Sequence, residues 1–255
     1  ARRSERVIVL ARSTADDVHR ELGIPRERID VVPNGVGVTA SVAPTPEREV
    51  RARFGLGERP FVLSVSAKRP HKNLGRLIAA IASIPRERRP MLVLPGYPTP
   101  FEDELRATAE RLGVAEDVRF LGWVDAADLE GLYAASACMA FPSLYEGFGL
   151  PVLEAMARGV PVACSARGSL GEVAGDAALV FDPESERAIA AAIERLLAGG
   201  PDVERLRERG RAQAARFTWQ ASAAGTAAAY ARALERRASA ASTSSAISRA
   251  GAGKR

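Results

Sequence analysis

Two glutamates, Glu146 and Glu154, flank a glycine-rich turn within the run Pro142-Ser-Leu-Tyr-Glu-Gly-Phe-Gly-Leu-Pro-Val-Leu-Glu154. Gly147 and Gly149 let the backbone approach a ligand closely. Pro151 suits the first turn of a helix, whose free N–H groups attract an anion. The turn formed by Gly147, Phe148, Gly149 and Leu150 is therefore built to cradle phosphate. Carboxylates beside a phosphate repel it unless they face something else. Sugar hydroxyls qualify, because an ionised carboxylate accepts hydrogen bonds from two neighbouring hydroxyls, so the two acids could serve two sugar rings. Taken alone, each acid also fits a plainer role, Glu146 as a solvated loop residue and Glu154 as a surface helix residue.

A second group of chemical interest runs from Ser64 to Leu74, Ser-Val-Ser-Ala-Lys-Arg-Pro-His-Lys-Asn-Leu, where Ser66, His71 and Lys72 stand between an apolar run and a helix start. Lys72 and its neighbours are placed to bind an anion; the plainer reading is a basic loop in solvent. Phe120-Leu-Gly-Trp-Val124 reads on its own as a strand and turn holding an ordinary buried Trp123.

The elements that must position these residues are legible from periodicity. From Phe61 onward, apolar runs of a few residues alternate with longer amphipathic stretches, the pattern of stacked βαβ units. Strands are predicted at 61–66, 91–94, 118–121, 137–141, 161–165 and 178–181. Helices are predicted at 73–83, 101–112, 126–135, 150–158, 184–197, 203–217 and 219–237. Several strands are apolar almost throughout, as expected for a parallel sheet covered on both faces. The fold class is α/β, a Rossmann-like doubly wound parallel sheet with ligands at the carboxyl ends of its strands. Upstream, Ser13-Thr-Ala-Asp16 resembles a capping box opening a helix to about Leu22, and 29–32 reads as a strand. The expected organisation is the end of a preceding lobe over 1–38, a linker over 39–58, the Rossmann-like domain over 59–218, a terminal helix over 219–237 and a disordered tail over 238–255.

Composition narrows the classes. The chain has 255 residues, 47% of them hydrophobic, enough for a real core. No apolar run is long enough to cross a bilayer. Cys138 and Cys164 lie in apolar segments without metal or redox spacing and read as buried thiols. The net charge of +5 comes largely from arginines scattered over helices, which supports a diphosphate site or an anionic lipid surface as well as it supports nucleic acid. No two aspartates stand two apart, Glu102-Asp-Glu104 reads as a charge cluster at a helix start, and the only histidines are His19 and His71. A metal site is therefore not expected.

The Glu146 to Glu154 segment, with seven residues between the acids around Gly-Phe-Gly-Leu-Pro, resembles the motif of retaining glycosyltransferases of family four. Glu154-Ala-Met-Ala-Arg-Gly-Val-Pro-Val, Leu170-Gly-Glu-Val-Ala-Gly-Asp-Ala, Val31-Val-Pro-Asn-Gly-Val and Phe217-Thr-Trp extend the likeness over roughly residues 5–237. The resemblance implies the C-terminal, donor-binding lobe of the two-lobed type B fold, with a separate N-terminal lobe holding the acceptor and most of that lobe missing here. It implies metal-independent transfer of a sugar, mannose among those allowed, from a GDP-, UDP- or ADP-linked donor to a glycan or lipid-linked acceptor, with no cofactor. Lys72 and Glu146 would be catalytic. Ser66, His71, Lys72, Val124, Glu146, Gly147, Phe148, Gly149, Leu150 and Glu154 would bind donor. The chain departs from the family at Ser66, where glycine is common, and at Ala67 and His71, one of which is commonly arginine; Lys68, Arg69 or His71 is left to supply that charge. Gly171 stands where proline is common. A cytoplasmic location is expected, with peripheral contact at the inner membrane face when the acceptor is a lipid, and nucleic acid is not an expected partner. A non-catalytic nucleotide-sugar-binding module and a type B epimerase remain the alternatives.

Overall fold

The computed structural model describes residue 1, residues 4–37 and residues 42–252, with side chains through residue 237. The chain forms two compact units, residues 1–35 with 217–255, and residues 36–216.

In the smaller unit, β1 (Val7–Val9) and β2 (Ile29–Val31) pair in parallel around α1 (Arg12–Leu22). Helix α1 begins one residue before the predicted cap. Its N-cap is Ala11, whose methyl side chain has no acceptor to offer, so no side-chain cap bond forms. Asp30 joins the segments of this unit: Arg6 Nη2 and Arg232 Nη2 each donate to its Oδ1 at 2.7 Å. Those bonds, Arg6 foremost, hold its carboxyl below the usual carboxylate range. The terminal helix α10 runs Trp219–Ala252, past residue 237 into the stretch expected to be disordered. Alanine, the strongest helix former, supplies six of the fifteen residues from 238 to 252. Residues 253–255 of the expected tail lie outside the described residues.

The larger unit is built on a six-stranded parallel sheet: β3 (Phe61–Leu63), β4 (Met91–Pro95), β5 (Val118–Gly122), β6 (Cys138–Phe141), β7 (Val162–Cys164) and β8 (Leu179–Val180). Its order is β5-β4-β3-β6-β7-β8. The sequence therefore winds outward from β3 in one direction, then crosses back and winds outward from β6 in the other. The switch point lies between β3 and β6, where a doubly wound sheet opens a crevice at its carboxyl edge. Strands β3, β4 and β6 are buried at every residue. Leu77, Ile78 and Ile81 of α3 (Leu74–Ser83) and Ile189 and Ile193 of α8 (Glu186–Leu197) pack in one cluster with Val62, Leu92 and Leu94. Helices α4 (Phe101–Arg111), α5 (Ala126–Ala135), α6 (Leu150–Ala157), α7 (Leu170–Ala174) and α9 (Pro201–Ala214) complete the unit.

The stretch expected as a linker over 39–58 contains a helix, α2 (Glu47–Phe54), that belongs to the larger unit. It docks on α5: Val50 is fully buried, Thr45 N donates to Ala127 O at 3.0 Å, and Arg53 Nη1 donates to Asp128 Oδ2 at 2.6 Å. A single buried apolar residue in a charged segment gives too little periodicity to announce a helix.

Candidate functional site

The loop after β3 and the loop after β6 meet at the switch point. Lys72 closes a short 3-10 turn, Pro70–Lys72, and Asn73 follows with φ 57°, a left-handed conformation that asparagine tolerates. The Asn73 amide donates from Nδ2 to Pro142 O at 3.1 Å and to Pro183 O at 2.7 Å, and Leu144 N donates to His71 O at 2.8 Å. These bonds fix the basic loop against the glycine-rich one. The result is a direct ion pair: Lys72 Nζ donates to Glu146 Oε1 at 2.5 Å, with the two side chains only 16% and 12% exposed. Lys72 Nζ also lies 5.4 Å from the Phe141 ring centroid. The two residues expected to act on a ligand, 74 positions apart in sequence, are thus neighbours.

The glycine-rich loop leads into α6, whose N-cap, Gly149, has φ 109° and provides no side-chain cap. A residue with a side chain would be strained there, and the uncapped helix start leaves its positive end to whatever occupies the site. Gly149 and Phe148 are buried, Gly147 is exposed, and Leu150 is half-buried. Behind the loop, Ser169 Oγ lies 2.9 Å from Glu146 O and 2.7 Å from Phe148 O, and Ser169 N donates to Glu146 O at 3.1 Å. Glu154, one turn into α6, is half-buried and accepts from Tyr133 Oη at 3.0 Å. Ser169 and Tyr133 were not visible as site residues in the sequence; both act through contacts that only packing creates.

The hydroxyls of Ser64 and Ser66, after β3, and of Ser143, after β6, are buried without a hydrogen-bond partner among the described residues. The three thus stand on the two loops that carry Lys72 and Glu146.

Val124 lies between β5 and the Asp125 cap of α5, half-buried, and Gly96 N donates to Gly122 O at 2.6 Å beside it. Two strand spacings, about 10 Å, separate β5 from β3, so Val124 is near the edge of the site rather than at the ion pair. Trp123 is 64% exposed, against the reading of it as an ordinary buried residue. It stands one residue beyond β5, in the turn that leads into α5.

His71 and Arg69 are exposed. Lys68 is not available as a surface charge. It is completely buried, and its Nζ donates to Leu94 O at 2.8 Å and Gly96 O at 2.6 Å, stapling the loop after β3 to the loop after β4. Burial pulls its pKa down to about 8 from the ordinary 10.5. Between these values the unfolded chain keeps the proton and the folded chain sheds it, so raising the pH from about 8 to 10.5 stabilises the fold. A neutral amine still has two N–H groups for the two carbonyls. Melting curves across this range should therefore show wild type gaining on Lys68→Met as the pH rises; parallel curves would refute the assignment.

These features define an α/β protein with a doubly wound parallel sheet and a polar, partly charged site at its switch point. The chain belongs to the glycosyl transferases group 1 family, whose model matches residues 46–213, and residues 1–40 match a second model, Glycosyltransferase Family 4. It is 37% identical over 220 residues to O-antigen chain mannosyltransferase B of Escherichia coli, covering 84% of this chain and 57% of that protein. It is 32% identical over 240 residues to the MMP alpha-(1->4)-mannosyltransferase of Mycolicibacterium hassiacum, covering 92% and 56% respectively. The chain thus spans little more than half the length of these relatives. Among solved structures, the sucrose-phosphate synthase of Thermosynechococcus elongatus superposes with a TM-score of 0.77 at 28% identity, over 90% of this chain and 58% of that one. Among the described residues, no helix is long and apolar enough to cross a membrane.

Proposed function

We propose that this chain is the donor-binding half of a retaining, metal-independent glycosyltransferase that moves a sugar from a nucleoside diphosphate to a glycan or lipid-linked acceptor. The observation that carries the reading is the Lys72–Glu146 pair, held at 2.5 Å at the switch point beside the start of α6. In this reading the donor's diphosphate takes over Lys72 and the N-terminal end of α6, both of which stabilise the charge that develops on the leaving group. Glu146 turns to the hydroxyls of the transferred sugar, and Glu154 holds the ribose. The Ser64, Ser66 and Ser143 hydroxyls gain polar partners. The base extends across the sheet toward Val124, where readout by backbone leaves little side-chain signature. Retention follows if the acceptor attacks the face from which the diphosphate leaves.

Mannose is the sugar to test first, since several curated relatives are named mannosyltransferases. Acceptor selection is assigned to the additional length that those relatives possess. Calorimetric titration with GDP, UDP and ADP, without metal, tests the donor site. One diphosphate should bind preferentially and should weaken in Glu154→Ala. Equal binding of all three in the wild type and the variant would remove the support for a donor site.

A further inference from the structure

Beneath the candidate donor site four side chains bridge α5 and α6: Glu154, to which the proposed function gives the ribose, and Tyr133, Glu130 and Arg158, to which it gives no role. Tyr133 of α5 is completely buried, so its hydroxyl has no access to solvent and must spend its single proton inside the protein. It donates to Glu154 Oε2 at 3.0 Å. The other carboxylate oxygen of Glu154, Oε1, has no partner among the described residues, and the residue is only half-buried. One oxygen is therefore occupied from below while the other remains open to a ligand.

The ring that carries this hydroxyl is itself clamped. The Arg158 guanidinium carbon lies 4.7 Å from the Tyr133 ring centroid, a cation–π contact. Its Nε donates to Glu130 Oε2 at 2.6 Å, its Nη2 pairs with Glu130 Oε1, and its Nη1 donates to Glu154 O at 2.8 Å. Arg158 and Glu130 are each 11% exposed. A bidentate, shielded pair of this kind holds a fixed geometry. Because Arg158 caps α6 one turn after Glu154, and Glu130 precedes Tyr133 on α5, the group also ties the two helices together.

We propose that Tyr133 is a positioning residue, held by the Arg158–Glu130 clamp, that fixes the Glu154 carboxylate so that its free oxygen receives a ribose hydroxyl of the donor. The inference rests on the donor-site reading above. Burial pushes the Tyr133 phenol well above its ordinary pKa, so the group stays a proton donor wherever the fold survives. Without that donor, the carboxylate is free to rotate, and part of the ribose hydrogen-bond energy goes into ordering it.

The test compares each ribonucleotide with an analogue that cannot report the contact. GDP, UDP and ADP, each paired with its 2′,3′-dideoxy form, are titrated calorimetrically into the wild type, Tyr133→Phe and Glu154→Gln. In Tyr133→Phe the ribonucleotide that binds best should weaken about tenfold, the size of one hydrogen bond to a charged group, while its dideoxy form binds as in the wild type. Glu154→Gln should show the same selectivity. Equal weakening of both forms in Tyr133→Phe would assign the residue a purely structural role and overturn the inference. So would an unchanged Tyr133→Phe beside a selectively weakened Glu154→Gln, which leaves the ribose assignment of Glu154 standing. If Glu154→Gln also leaves the ribonucleotide unaffected, or if no nucleotide binds, the donor-site reading falls and takes the inference with it. Comparing the two forms within one variant makes the result independent of the fraction folded. Should Tyr133→Phe not fold, Arg158→Lys, which keeps the charge and loses the bidentate grip, should show a smaller selective loss. Equal affinity changes for both forms there would count against the proposal.

Discussion

Lys72→Ala should lower donor turnover by about 10²- to 10³-fold, the cost of removing one preorganised electrostatic contact from the charge that forms in a transition state. The size of the effect depends on whether another cation can stand in, and the structure answers this residue by residue. Lys68 is buried and committed to Leu94 O and Gly96 O. Arg69 and His71 are exposed, so any charge they bring is screened by water. Ala67, one of the two positions at which the family resemblance implies an arginine, carries no charge. Lys72 is thus the cation placed inside the site. Its removal also leaves Glu146, 12% exposed, without its partner, so the loop loses order as well as charge. Turnover is followed as release of nucleoside diphosphate from the sugar donor, and affinity for the free diphosphate should fall in parallel. Lys72→Arg, which restores a cation in a different shape, should recover part of the rate. A Lys72→Ala variant that retains a third or more of wild-type turnover would end the assignment of Lys72 to catalysis, whatever its effect on binding.

What the sequence disclosed about this site, and what it withheld, divides along physical lines. The apolar runs at 61–63, 91–95 and 138–141 are strands buried on both faces, and such runs announce themselves. The glycine-rich turn and Lys72 sit on the loops after two of those strands, so their positions at the carboxyl edge follow from the alternation alone. Their contact does not, because it requires knowing that β3 and β6 are neighbours, a fact of strand order rather than of local pattern. The same holds for Tyr133 and Glu154, which meet only because α5 packs beside α6. The choice among Lys68, Arg69 and His71 stayed open for a different reason. A lysine in a basic loop reads as a surface charge, and the carbonyls that accept its protons lie 26 and 28 residues away, at the end of another strand. Helix α2 escaped because Val50 is its one buried residue.

Gly168→Ala should disable the site from behind while leaving the fold largely intact. Gly168 has φ 60°, and a Cβ built there would lie 2.5 Å from Glu146 O and 3.0 Å from Glu146 N. The conformational term alone costs alanine about 1–2 kcal/mol. The contact cannot be relieved by a side-chain rotation, because both atoms are backbone and the Glu146 carbonyl is already held by Ser169 N at 3.1 Å. The loop carrying Glu146 has to move, which draws its carboxylate away from Lys72. Misplacement of a reacting group by about 1 Å costs on the order of 10²-fold in rate, so turnover should fall by that much. The strain should lower the melting temperature by only about 2–8 °C for a unit of this size. Gly171→Ala provides the control: its nearest contact would be Ala166 O at 3.4 Å, within helix α7, where alanine is favoured. Rates and melting temperatures of the two variants, measured together, separate the local effect from a general intolerance of added volume. If Gly168→Ala loses no more activity than Gly171→Ala, the loop after β7 does not position Glu146, and the carboxylate is set by its own ion pair alone.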